Sequence, residues 1–437
     1  MKLRPFELVI FTIFAVLGLL SLFIISNYKP KTKPGVVSLG GAVEIWGTMP
    51  AEAVEAVLRP LGDNDPAWRA VSYSYKSPSQ FNSEFLEALA DNRAPDLVLI
   101  PHEELVHNRG RLLPLSYTNY PIRDFRNNFI DGAEVFVLKD GIYALPVAVD
   151  PLMMYWNRDM LSTRGILTPP ATWEELVNSF LTETVERDFS HNITLSTLAF
   201  GEYNNVTNVF PVLSMLLIQG GSQLITERPG DGFFYNIELN QMVNGGGESP
   251  LQNALSFYVN FSNPSNEFYT WNRSLPNDKQ QFLAEKLFLY FGMASEAKGL
   301  ARQNPNLNFD IAEVPQGATA TVRRTYGSFY GLAVVRSARN PNGAYQVMQA
   351  LSASDNAAEI AITAGMAPVR RVSLEAGSND QYGRLAFKSA PIARGWWSPN
   401  PQTIQGIFKQ MIEDTTAGRR RIDESVRDAL LRLRDNY

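Results

Sequence analysis

Between residues 41 and 101 the sequence switches repeatedly between short apolar runs and amphipathic stretches, and few architectures other than a layered α/β fold accommodate that succession. Gly41–Gly47 is a short apolar strand closed by a glycine turn. Pro50 then opens a helix with Ala53, Val54, Val57 and Leu58 on one face. Val71–Tyr75 alternates as a strand does, and Phe81, Phe85, Leu86 and Leu89 follow at helical spacing. Pro95–Pro101 is a continuous apolar strand bracketed by prolines. A βαβαβ opening of this kind predicts a largely parallel sheet covered on both faces. Ligands of such sheets lie beyond the carboxyl ends of the strands, which directs attention to Trp46 and to the segment after Ile100.

Composition narrows the chemistry. The 437 residues include 30 Gly, 27 Pro, three His and no Cys, with 45% hydrophobic and 19% charged residues. Without cysteine there is no disulfide framework, no thiolate metal site, no catalytic thiol and no lipid attached through sulfur. The uncharged run Leu8–Tyr28 has 21 residues, enough to span a bilayer core at about 1.5 Å per residue. It is expected to be an uncleaved transmembrane helix, because it is longer than a signal-peptide core and no Ala-x-Ala site follows. Residues 29–35 form a stiff, charged spacer. Lys2 and Arg4 precede the run while Lys29, Lys31 and Lys33 follow it, so charge bias alone does not set orientation. Setting aside those five basic residues and Glu7 leaves 34 basic against 43 acidic residues of the original 39 and 44, a net charge of −9. Such a surface argues against nucleic-acid binding.

The later sequence keeps alternating. Gly141–Asp150 and Met153–Leu161 read as two strands. In Thr172-Trp173-Glu174-Glu175, Thr172 caps a helix over 174–185 and Glu175 completes a capping box. A helix near 210–219 stops at Gly220-Gly221. Apolar spacing predicts further helices near 251–261, 276–287, 342–352, 355–363, 401–416 and 421–434.

The order of these motifs resembles the extracellular solute-binding proteins of ABC importers, the sugar-binding group that includes maltose-binding protein. The resemblance rests on Pro95-Asp96-Leu97-Val98-Leu99, Tyr143-Ala144-Leu145-Pro146, Tyr155-Trp156-Asn157-Arg158-Asp159-Met160-Leu161, Pro170-Ala171-Thr172-Trp173-Glu174-Glu175-Leu176, Phe282–Leu289, Phe309–Pro315 and Gly331–Val335. At Phe282–Leu289, Glu285 stands where the family has glycine, and bulky residues replace its two alanines. The resemblance implies a two-lobe periplasmic-binding-protein type II fold, with hinge-linked parallel or mixed sheets, here preceded by the one N-terminal transmembrane helix expected from Leu8–Tyr28. Lobe one would take 36–148 and 291–340, and lobe two 149–290 and 341–437. The chain would cross near Pro146–Asp150, Tyr290–Gly292 and Asn340. It further implies a monomeric domain that faces the extracytoplasmic side, captures a small solute such as a sugar, and delivers it to ABC permease subunits; most relatives are held by a lipidated cysteine or are free in a periplasm, so in this cysteine-free chain the single membrane pass at Leu8–Tyr28 is expected to be the tether.

Sugars are held by aromatic faces and planar polar groups. Trp46, Asp150, Tyr155, Trp271, Phe291, Tyr326, Tyr330, Trp396 and Trp397 are therefore the candidate contacts. Trp46, Trp271, Trp396 and Trp397 lie in turn-rich segments where a whole indole is harder to bury. Trp173 is expected to pack a helix start, and Asp96 to serve the fold. His102 and His107, near Glu103 and Glu104, lack metalloprotease spacing and are expected to be solvated. Asp63-Asn64-Asp65 begins a calcium-loop pattern that Pro66 breaks. No nucleotide, nucleophile-elbow or metal motif is present, so no enzyme activity, cofactor or metal is expected. A tethered glycan-processing enzyme and a solute sensor are the competing readings.

Overall fold

The computed structural model describes residues 39–228, 235–242, 249–398 and 400–436. The run Leu8–Tyr28 and the spacer lie outside these residues. Among the described residues no helix is long and apolar enough to cross a membrane.

The opening forms as its periodicity predicts. Strand β1 (Val43–Gly47) pairs in parallel with β2 (Val71–Tyr75) and β3 (Leu97–Pro101), in the registers Val43↔Val71 and Ile45↔Leu97. Helices α1 (Ala51–Asn64) and α2 (Phe81–Ala90) connect them, burying Ala53, Val54, Val57 and Leu58, and Phe81 and Phe85. Asp96 serves the fold, accepting from the backbone N–H groups of Glu44, Arg339 and Asn340 at 3.0, 2.8 and 3.0 Å.

The two strands expected over 141–161 are mainly one, β4, which runs 13 residues from Leu145 to Asn157. Arg158–Ser162 turns into helix α3 instead, because the Asn157 side chain caps it by accepting from Met160 N at 2.9 Å. Downstream come β5 (Ile193–Leu198), helix α4 (Val209–Gln219), the hairpin β6 (Ser222–Glu227) and β7 (Tyr235–Met242), β8 (Leu287–Met293), β9 (Phe309–Ala312) and β10 (Thr325–Val335). The first half of β4 pairs with β10, from Leu332↔Leu145 to Gly327↔Pro151. Its second half pairs with β8 and β9, from Met293↔Leu152 to Phe309↔Asn157. One strand thus belongs to two mixed sheets. The lobe-one sheet runs β2-β1-β3-β10-β4 and the lobe-two sheet runs β4-β8-β5.

This pairing corrects two of the three expected crossings. Residues near Tyr290–Gly292 do not leave lobe two, because β8 stays hydrogen-bonded to the second half of β4 and to β5. The return is made by β10, where Gly327 lies against Pro151; a side chain there would stand 2.8 Å from Ala393 Cβ. Nor does the chain cross at Asn340. That residue caps helix α5 (Pro341–Leu351) through Gly343 N at 3.0 Å and holds Leu39 O at 2.7 Å. Helix α5 packs on β10, and α6 (Ser354–Thr363) packs on α1 and β4, so both belong to lobe one. The chain passes to lobe two only after Ala393, paired with Thr325, where α7 (Pro401–Thr416) and α8 (Ile422–Arg434) pack on Pro250–Asn260.

Candidate functional site

A cleft of about 620 Å³ opens where the two sheets part company. Its floor is Asp150 of β4 with Tyr326, Ser328 and Tyr330 of β10. Pro101, Glu103 and Glu104, at the carboxyl end of β3, form the lobe-one wall, with Pro78 and Ser79 at the rim. The opposite wall is Tyr203, Asn208 and Phe210, leading into the helix Val209–Gln219, and Gln402 and Gln405 in the first turns of α7. Pro401 at the first helical position and Asn400, which accepts from Gln402 N at 3.0 Å and Thr403 N at 3.2 Å, fix where α7 starts. Gln402 Nε2 reaches 3.4 Å from Ser79 O, joining the two rims.

Three carboxyl groups face this space, and among the described residues no Lys, Arg or His lines it. Asp150 accepts from Ser295 N at 3.0 Å and Ser295 Oγ at 2.6 Å, yet burial pushes it up to about 7. Burial also lifts Glu104 to about 7, helped by the charge of Glu103 and opposed by the Asn82 amide at 2.7 Å. For Glu103 burial is outweighed: adjacent His102, with Tyr326 donating a short hydrogen bond, holds it below the usual carboxylate range. The Tyr330 and Tyr203 hydroxyls have no hydrogen-bond partner among the described residues and line the cleft. The site can therefore offer hydroxyl donors, carboxyl acceptors and aromatic faces to a polar solute, but no counter-charge to an anion.

Behind Glu103 lies His102, which is completely buried, contrary to the expectation of a solvated histidine. Its Nδ1 is 3.0 Å from Glu103 Oε2 and 3.2 Å from the backbone N–H of Phe329, and its Nε2 accepts from Trp396 N at 3.1 Å. Gly395 permits the approach, since a Cβ there would lie 2.2 Å from Nε2. No group of three or more His, Cys, Asp or Glu among the described residues could hold a metal ion.

Of the nine candidate contacts, Asp150, Tyr326 and Tyr330 come together in the cleft. The others do not line it. Trp46 is half-buried on β1, its Nε1 donating to Glu44 at 2.6 Å with Lys76 Nζ 3.9 Å from its ring centroid. Tyr155 is buried and donates to Met293 O at 2.6 Å. Phe291 stacks on Trp173 at 6.0 Å, and Trp173, as expected, packs its helix start. Trp271 is 0% exposed and Trp396 is 3% exposed, so the turn-rich segments bury their indoles after all. The backbone N–H of Trp271 donates to Phe261 O at 3.0 Å while its buried indole N–H has no hydrogen-bond partner among the described residues, and Trp396 Nε1 donates to Ser214 Oγ at 2.9 Å. Trp397 donates to Val135 O at 2.7 Å. Glu103, Glu104, Tyr203, Phe210, Gln402 and Gln405 were not among the candidates. The first two had a signal in the sequence, because they directly follow the carboxyl end of β3.

Comparison with known proteins agrees with this geometry. Residues 63–386 match the family described as bacterial extracellular solute-binding protein. A Brucella abortus (strain 2308) protein named as a binding protein is 22% identical over 325 residues, covering 70% of this chain and 71% of its own. The Thermus thermophilus maltotriose binding protein, solved with maltotriose, superposes with a TM-score of 0.63 at 15% identity, covering 90% of this chain and 99% of its own. The sugar-binding protein MalE of Xanthomonas citri gives 0.68 at 17% identity, covering 90% and 97%. With a sequence match over most of its length and a two-lobe fold shared with these structures, the chain belongs to the bacterial extracellular solute-binding proteins.

Proposed function

We propose that this protein is the extracytoplasmic receptor of an ABC importer and that it captures a neutral carbohydrate between its lobes. The observation that carries the reading is the composition of the cleft: tyrosine and phenylalanine faces, uncommitted tyrosine hydroxyls and carboxyl acceptors, with no basic side chain among the described lining residues. Sugar hydroxyls match donors and acceptors of this kind, and the ring C–H faces match the aromatic walls. Maltotriose in the Thermus thermophilus structure supports the same class of solute. Release to a permease would follow hinge opening at β4 and β10, and the energy would come from a separate ATPase. The run Leu8–Tyr28 would tether the receptor to the membrane, with the described domain outside.

A thermal-shift panel of neutral mono-, di- and oligosaccharides, sugar phosphates, amino acids and polyamines tests the solute class. A neutral sugar at 100 times its dissociation constant is expected to stabilise by about 2.7 kcal/mol. A rise confined to non-sugars overturns the reading. For the tether, the full chain is expected to stay with membranes after alkaline carbonate washing; release into the wash contradicts it.

A further inference from the structure

We propose that Arg109 is a positioning residue for solute capture: it clasps the hairpin of lobe two to lobe one and so favours the narrowed cleft. Arg109 follows β3 in lobe one and is 1% exposed. Its Nη2 donates to Asp140 Oδ1 at 2.6 Å and its Nε to the Tyr143 hydroxyl at 3.3 Å, both within lobe one. Tyr143 in turn donates to Asp140 Oδ2 at 2.7 Å. The remaining terminal nitrogen, Nη1, donates to Glu227 Oε1 at 2.8 Å and to the Tyr235 hydroxyl at 2.9 Å. Those residues end β6 and begin β7, a hairpin that packs on helices of lobe two, including α8. Glu227 Oε2 also takes the Lys139 N–H of lobe one at 2.7 Å. One buried guanidinium therefore divides its rigid fork between acceptors of both lobes.

A buried cation is stable only while its partners remain. These bonds exist in the arrangement in which Gln402 meets Ser79 across the cleft mouth. Swinging the lobes apart would withdraw Glu227 and Tyr235 from Nη1 and break these two interlobe bonds. An interaction made in one arrangement and lost in the other shifts the population between them, whatever the solute. The inference rests on capture by lobe closure, but it can be tested without a ligand, so it can fail while the carbohydrate reading stands.

The absence of cysteine makes the measurement clean. Spin labels at Gln80→Cys and Gly406→Cys would flank the cleft mouth; both positions are exposed, and a Cβ at Gly406 meets nothing within 4 Å. In the sugar-free full chain, Glu227→Gln with Tyr235→Phe removes the lobe-two half of the clasp and keeps the Arg109–Asp140–Tyr143 group. The interlobe distance is expected to lengthen and broaden. Arg109→Lys, which retains the charge but not the fork, is expected to do the same, with circular dichroism confirming that each variant is folded. Asp140→Asn, which alters only the lobe-one half, is expected to leave the distance unchanged. Distances identical to the parent in both clasp variants would overturn the proposal, and so would an equal lengthening in Asp140→Asn.

Discussion

Asp150 shows how burial and hydrogen bonding compete at a single residue. Its Ser295 bonds favour the carboxylate, but burial dominates and raises it to about 7. The folded carboxyl thus keeps its proton up to about pH 7, while the unfolded one releases it near pH 4. Protons therefore favour the folded state across that interval, and the contribution of Asp150 to stability falls as pH rises from about 4 to about 7. At about 1.4 kcal/mol per pKa unit the full loss is at most about 4 kcal/mol. Asp150→Asn is expected to raise the melting midpoint at pH 8 and change it little at pH 4.5; calorimetry at both values checks this, and equal effects at the two would contradict it. At this scale the sequence was least legible. Asp150 could be placed because it flanks the expected crossing at Pro146–Asp150, and Tyr326 and Tyr330 because they stand at the head of the apolar strand Gly331–Val335. Trp271 and Trp396 could not, since both indoles are buried by tertiary contacts, such as the bond from Trp396 to Ser214, that no local pattern announces.

Elements were far more legible than contacts. Apolar spacing marked α7 and α8, and Thr172 caps its helix by accepting from Glu175 N at 3.1 Å, although the Glu175 carboxylate reaches Ala171 N at 2.9 Å where the capping box would have it meet Thr172 N. The failures came where pairing is non-local. Nothing within 287–293 reveals that this strand stays beside the second half of β4, so the crossing was displaced to β10 only by the pairing itself. At the start of α7 the local rules and the cleft meet, because Asn400 caps the helix that presents Gln402 and Gln405. Asn400→Ala is expected to cost about 1 kcal/mol, and Asn400→Asp to retain most of it, in urea denaturation. No difference between alanine and aspartate would remove the cap from the account.

At the scale of the molecule, two sheets share β4, while β10 returns to the lobe-one sheet, and this leaves a cleft between the sheets whose position the βαβαβ opening already indicated. The two-lobe plan was legible from motif order; the lobe boundaries were not, because they depend on which half of β4 each later strand joins. The central claim is that this cleft, and not the buried tryptophans, holds a sugar. Isothermal titration of maltotriose, or of whichever panel sugar raises the midpoint most, into the parent and into Tyr330→Ala and Trp271→Phe tests it directly. One site is expected, with affinity at least tenfold weaker in Tyr330→Ala and little changed in Trp271→Phe. Unchanged affinity in Tyr330→Ala, with loss in Trp271→Phe, would contradict it.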